Sequence, residues 1–209
     1  MSAGLIPLFP LKAVVFPRTP LPLHIFEDRY KKMVGDAIRD QSEFGVVLAK
    51  DEGIVNAGCT VIVDKVLKNY PDGRLDIVTK GRRRFEILFL NEELDYLRGE
   101  VEFFDDEENE PIPEDLQNRV LSQYKSLLEI GEIHSPGEPD LSDEQLSFQL
   151  AQAIPEPDFL NVLLRTRSEA ARLKELGEFL SQFIPRQRQI HKIRKLAPQN
   201  GFGGKLAGM

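Results

Sequence analysis

The chain holds one cysteine, Cys59, among 209 residues. An internal disulfide is therefore excluded, which fits a reducing compartment. No apolar run approaches the ~20 residues that a membrane-spanning helix needs. The opening Met1-Ser2-Ala3-Gly4-Leu5-Ile6-Pro7 has neither a basic n-region nor a long apolar stretch, so no secretory signal is expected. These absences make the cytoplasm the expected location. Excess positive charge is also missing. The formal net charge is −7, and an acidic chain does not broadly attract phosphate backbones, so nucleic acid is a disfavoured partner.

Catalytic signatures are lacking as well. His24, His134 and His191 fall in separate segments, none with a neighbour at metal-ligand spacing, and the chain contains no HExxH, CxxC or GxSxG pattern. Gly201-Phe202-Gly203-Gly204-Lys205-Leu206 superficially resembles a phosphate-binding loop, but it lacks the following Ser or Thr and the flanking strand and helix. Cys59 lies in an apolar strand and is expected to be an inert core thiol. The sequence thus points to a protein that is not an enzyme, with no metal and no cofactor.

What is present divides by period. Phe44 to Ala49 is a short apolar run, and Gly58 to Leu67 is rich in β-branched residues. Pro71-Asp72-Gly73 supplies a preset turn residue and a glycine, and Leu75 to Thr79 returns, so residues 58 to 79 read as a hairpin. Two further strands are expected at 83–90 and 97–103, the second with Leu97, Val101 and Phe103 on one face. Lys80 to Arg84 is expected to be a basic turn between strands. One helix, 27–39, interrupts this region with Tyr30, Met33, Val34, Ala37 and Ile38 at helical spacing. The opening prolines Pro7, Pro10, Pro17, Pro20 and Pro22 belong at edges, bulges or connections. A single helix among short strands suggests a small barrel or a sandwich.

The acidic run Asp105 to Pro113 reads as a solvated linker. Beyond it the period becomes 3.6. Leu116, Val120, Leu121, Tyr124, Leu127 and Leu128 form one stripe. After a loop over 131–139, Ser142 and Gln145 match a capping box, Asp158 is placed to cap a third helix, and Ser168 a fourth. That last helix carries Leu173, Leu176, Leu180, Phe183 and Ile184, with Pro185 set to kink or end it. The expected organisation is a β domain over 1–104, a linker over 105–115, a helical subdomain over 116–196 and a disordered tail over 197–209.

The order of several motifs carries a resemblance. Leu5-Ile6-Pro7-Leu8-Phe9-Pro10-Leu11, Val14-Val15-Phe16-Pro17 and Pro20-Leu21-Pro22-Leu23-His24-Ile25-Phe26-Glu27 resemble the opening of the N-terminal domain of Lon proteases. Gly58-Cys59-Thr60-Val61-Ile62, and Pro71-Asp72-Gly73-Arg74 followed by Ile77 to Phe85, resemble its later strands. The resemblance implies an α+β fold, a PUA-like small β-barrel followed by a C-terminal helical subdomain. It further implies a stand-alone module, without ATPase or serine–lysine protease domains, that recognises unfolded or extended polypeptide as an adaptor or regulator of proteolysis. Its expected partners include a protease or chaperone and no membrane, and a monomer or dimer is expected. The residues expected to meet polypeptide are Phe16, Pro17, Phe26 and Tyr30. The alternative is an RNA-binding PUA-like module that holds an anionic partner through Arg82, Arg83 and Arg84 in the basic segment 80–84.

Overall fold

A computed structural model describes residues 5–107, 111–130 and 137–196. Its strands are β1 (Ile6–Leu11), β2 (Pro20–Ile25), β3 (Phe44–Lys50), β4 (Gly53–Asn69), β5 (Leu75–Asn91) and β6 (Arg98–Phe104). Helix α1 (Asp28–Asp40) lies between β2 and β3, and α2 (Glu114–Leu128), α3 (Leu146–Ala151), α4 (Pro157–Arg165) and α5 (Glu169–Leu196) follow the sheet. The strands form one mixed sheet in the order β2-β5-β4-β3-β1-β6, and β6 pairs again with β5. That extra ladder closes β5, β4, β3, β1 and β6 into a ring, with β2 attached to the first half of β5.

The hairpin forms as its turn chemistry dictates. The Gly73 N–H donates to the Tyr70 carbonyl, the Tyr70 N–H to the Arg74 carbonyl, and Gly73 takes φ 82°. The chain then departs from the expected pair of strands. Residues 75–91 form one unbroken strand of 17 residues, and the basic segment lies inside it. Gly81 makes this possible. Its N–H and C=O exchange hydrogen bonds with Thr19 and Arg18, and a Cβ there would sit 1.9 Å from the Phe16 carbonyl oxygen. The opening segment thus closes on β5 at the one residue without a side chain. Pro20 and Pro22 follow their expected restriction, on β2, which among the described residues pairs with β5 alone, whereas Pro7 and Pro10 lie in β1, between β3 and β6.

Helix α1 buries Tyr30, Met33, Val34 and Ala37 as its periodicity requires. The later helices keep their inner stripes but differ at their ends. The capping box does not form. The Ser142 N–H and O–H both donate to Asp140, the Gln145 N–H goes to the Asp143 carboxylate, and α3 starts at Leu146 without a side-chain cap. Asp158 lies within the first turn of α4 and pairs with Lys50, while Ser168 does accept the Ala171 N–H. Pro185 does not end α5, which runs on to Leu196. Its missing N–H falls on a stretch where Ser181 and Pro185 are both exposed. Most of the 131–139 loop, the 197–209 tail with its glycine-rich stretch, and His134 lie outside the described residues.

One continuous core joins the α1 side of the sheet to the later helices, and a smaller cluster of Leu8, Val47, Phe85 and Val101 has Leu97 and Phe103 packed against it. Replacing Gly81 by alanine forces backbone apart at the Phe16 crossing. We expect Gly81→Ala to lower the unfolding free energy by about 2–3 kcal/mol. Gly35→Ala, in the exposed interior of α1 with open space around it, should raise it by about 0.5–1 kcal/mol. Urea denaturation of both variants checks the pair.

Candidate functional site

A groove of about 770 Å³ lies between the ends of β1 and β2 and the start of α1. Its floor is apolar, formed by Phe9, Leu11, Leu21, Leu23 and Tyr30, and Phe26 lines its side. The groove exists because the edge of β2 turned away from β5 receives no further strand among the described residues. Phe26, between the end of β2 and α1, is 59% exposed. It stacks on His24 at 5.9 Å between ring centroids, and His24 is held in turn by Asp76, which also accepts the Tyr70 hydroxyl. These hydrogen bonds, that from His24 first, hold the Asp76 carboxyl below its ordinary range. Phe9 and Tyr30 pack at 4.4 Å, and Arg29 lies over the Tyr30 ring while pairing with Glu27. The result is an apolar trough with a polar, ion-paired rim.

Of the four residues expected to meet polypeptide, Phe26 and Tyr30 line this groove, although Tyr30 is largely buried. Phe16 and Pro17 lie elsewhere and are buried, and Phe16 stacks on Phe148 of α3 at 4.7 Å. The three arginines of the anionic alternative are not a matched set. Arg82 and Arg83 are exposed and share Glu43, whereas Arg84 is 2% exposed. Cys59 is fully buried, and burial pushes its thiol up to about 12, which leaves it without thiolate character at neutral pH. Among the described residues no cluster of His, Cys, Asp and Glu has metal-binding geometry.

Arg84 belongs to a buried cluster that sequence reading missed. Its guanidinium donates to the carbonyls of Leu164 and Thr166 and to Asp106. Arg172, with no exposed surface, donates to Asp106 through both terminal nitrogens, to the Thr166 carbonyl, to Ser147 and to Glu169. The ring of Phe148 lies beneath both, at 4.3 Å from the Arg172 and 5.5 Å from the Arg84 guanidinium carbon. Two cations and two carboxylates thus tie β5, the segment after β6 and helices α3 to α5 together. Asp106 is not a solvated linker residue. Burial works to raise its carboxyl, but the hydrogen bonds and charge of Arg172, and then those of Arg84, outweigh this and hold it low. Burial dominates at Glu169 and pushes its carboxyl up against the pull of Ser147 and Arg172. Arg18 adds a strap from the opening segment to the helices, through Asp143 and Gln145.

Against known proteins, the model of the ATP-dependent protease La (LON) substrate-binding domain matches residues 5–182. Among curated relatives, the Lon protease of Parabacteroides distasonis is 28% identical over 131 residues, which take in 58% of this chain and 16% of that protein. The Lon protease of Anaeromyxobacter dehalogenans is 31% identical over 112 residues, 49% of this chain and 13% of that one. The chain therefore spans a small part of these relatives' length. Among solved structures, a Lon N-terminal domain protein from Xanthomonas campestris superposes with a TM-score of 0.67 at 25% identity, covering 83% of this chain and 96% of that one. The N-terminal domain of Mycobacterium avium complex Lon protease, at 16% identity, shares the fold with a TM-score of 0.60 over 85% of this chain and 98% of its own.

The buried cluster gives a stability prediction with a pH signature. Asp106→Asn removes the shared counter-charge of two buried guanidinium groups and should cost about 3–5 kcal/mol at neutral pH. Because the folded Asp106 titrates low, its contribution is complete above about pH 4 and is lost as pH falls through the lowered value. Glu169 has the opposite sign, since a raised carboxyl favours the fold as it takes up a proton. Denaturation across the acid range should show a shallower loss of stability below about pH 4 in Asp106→Asn than in the native chain. Equal slopes would contradict the assignment.

Proposed function

Because this chain belongs to the family of ATP-dependent protease La (LON) substrate-binding domains, we propose that it is a non-catalytic module that grips unfolded or extended polypeptide. The observation that carries the reading is the groove beside β2, where an exposed phenylalanine stands over an apolar floor with a polar rim. Apolar side chains of an extended segment lose water in such a trough, while its backbone stays near the open β2 edge. Proline at positions 20 and 22 removes two N–H donors from that edge, so side-chain burial, more than strand addition, supplies the affinity. On this reading the module works in the cytoplasm as an adaptor or regulator of proteolysis and hands bound chains to a protease or chaperone. It turns over no substrate itself, since its one thiol is buried and its described histidines, His24 and His191, lie on separate elements.

The test is a titration of a fluorescent, reduced and alkylated polypeptide followed by anisotropy. Phe26→Ala removes the exposed ring without opening the core and should weaken binding about tenfold, or ~1.4 kcal/mol. Circular dichroism should show unchanged folding. Unaltered affinity in the variant would place the binding surface elsewhere, and no binding by the native chain would end the proposal.

A further inference from the structure

The outer face of the β5–β6 ladder carries charges that the fold does not answer. Glu86 stands opposite Glu102 across the two strands, and Glu100 stands opposite Phe89. Like charges directly opposite each other on a sheet are destabilising. Residues 86–102 hold six carboxylates, Glu86, Glu92, Glu93, Asp95, Glu100 and Glu102, against one cation, Arg98. Arg98 is committed to Glu93 and Asn91. Glu86, Glu100 and Glu102 have no cation at ion-pair distance among the described residues.

Beside these carboxylates lies exposed apolar surface. The β5–β6 register slips between Ile87 and Phe89, so one residue of β6 faces two of β5. Without the slip, alternation would turn one of each neighbouring pair inward. With it, Leu88 and Phe89 are both 61% exposed. The backbone here is also open on one side. Pairing of β5 with β4 ends at Ala57 and Glu86, so 87–91 is bonded to β6 alone among the described residues. An unpaired edge, consecutive exposed apolar side chains and unanswered carboxylates thus share one place.

We propose that this face docks an extended polypeptide segment in which lysine or arginine accompanies apolar residues. The backbone of the segment adds to the free β5 edge, its apolar side chains cover Leu88 and Phe89, and its cations relieve the repulsion between Glu86 and Glu102. The surface is separate from the groove. Leu23 of the groove pairs with Ile77, about 35 Å along the strand from Leu88 at ~3.3 Å per residue. This docking therefore does not rest on the proposed function of the groove.

The test uses two fluorescein-labelled synthetic peptides, one alternating valine with lysine and one alternating valine with glutamate, titrated against the full chain. The lysine peptide should bind about tenfold or more tightly than the glutamate peptide. The double variant Glu86→Gln/Glu102→Gln should weaken binding about tenfold or more while folding at least as stably as the native chain. Leu88→Ser/Phe89→Ser should weaken it similarly, and both losses should be the same when measured in a Phe26→Ala background, where the groove contributes least. Glu114→Gln/Asp115→Gln removes the same charge from the exposed start of α2 and should leave binding unchanged. If both charge neutralisations weaken binding equally, the attraction belongs to the acidic molecule as a whole and the proposal fails. If the chain self-associates in sedimentation and Glu86→Gln/Glu102→Gln abolishes that, a second copy takes the face and the proposed partner is wrong.

Discussion

Two arginines with almost no exposed surface, Arg84 and Arg172, hold the molecule in one piece. Arg84 comes from the middle of β5, Arg172 from the first turns of α5, and both reach Asp106 just after β6. Burying two like charges side by side costs several kcal/mol per ion unless counter-charges and acceptors surround them. Here Asp106, Glu169, Ser147 and the carbonyls of Leu164 and Thr166 fill the coordination, and the face of Phe148 supplies the remaining contact. Planar guanidinium forks suit this role because each engages several acceptors at fixed angles. Breaking such a cluster by removing one partner costs more than the intact cluster adds to net stability, because it leaves a buried charge unanswered. The cluster is complete only when the sheet, the connecting segment and three helices are in their native places.

The surface chemistry follows from that arrangement. The helices are fixed against the sheet near Arg84, and Phe16 of the opening segment is pinned between them through Phe148. With its preceding segment held at Gly81, β2 lies along β5 with its other edge unpaired among the described residues, and the apolar groove opens between β1, β2 and α1. Further along β5 the helical cover ends and Glu86 and Glu102 emerge. One long strand therefore carries the buried cluster at its centre, supports the groove at one end and presents an acidic, apolar edge at the other.

Much of the fold was legible because its signals are local. The Pro71-Asp72-Gly73 turn, the stripe of Tyr30, Met33, Val34 and Ala37, and the change of period after residue 113 all depend on residues a few positions apart. Of the four residues expected to meet polypeptide, Phe26 and Tyr30 line the groove, whereas Phe16 and Pro17 are buried away from it, because exposed and core apolar residues look alike in a sequence. What was lost depends on distance along the chain. Arg84 read as part of a basic turn because its partners lie 22, 80 and 82 residues away. The continuity of β5 was hidden because Gly81 reads as a turn residue until the Phe16 carbonyl is seen against it. The capping box at Ser142 lost to a competing local interaction, since Asp140 offers a carboxylate acceptor two residues earlier.

The central claim is that sheet and helices form one cooperative body through the buried arginines, and native-state hydrogen exchange tests it most directly. Amides of β5 around Phe85 and of α5 around Leu173 to Leu180 should exchange through a common opening, with the same protection and the same dependence on denaturant. If the α5 amides instead exchange through an easier opening of their own while β5 stays protected, the arginine cluster does not couple the two layers and the account is wrong.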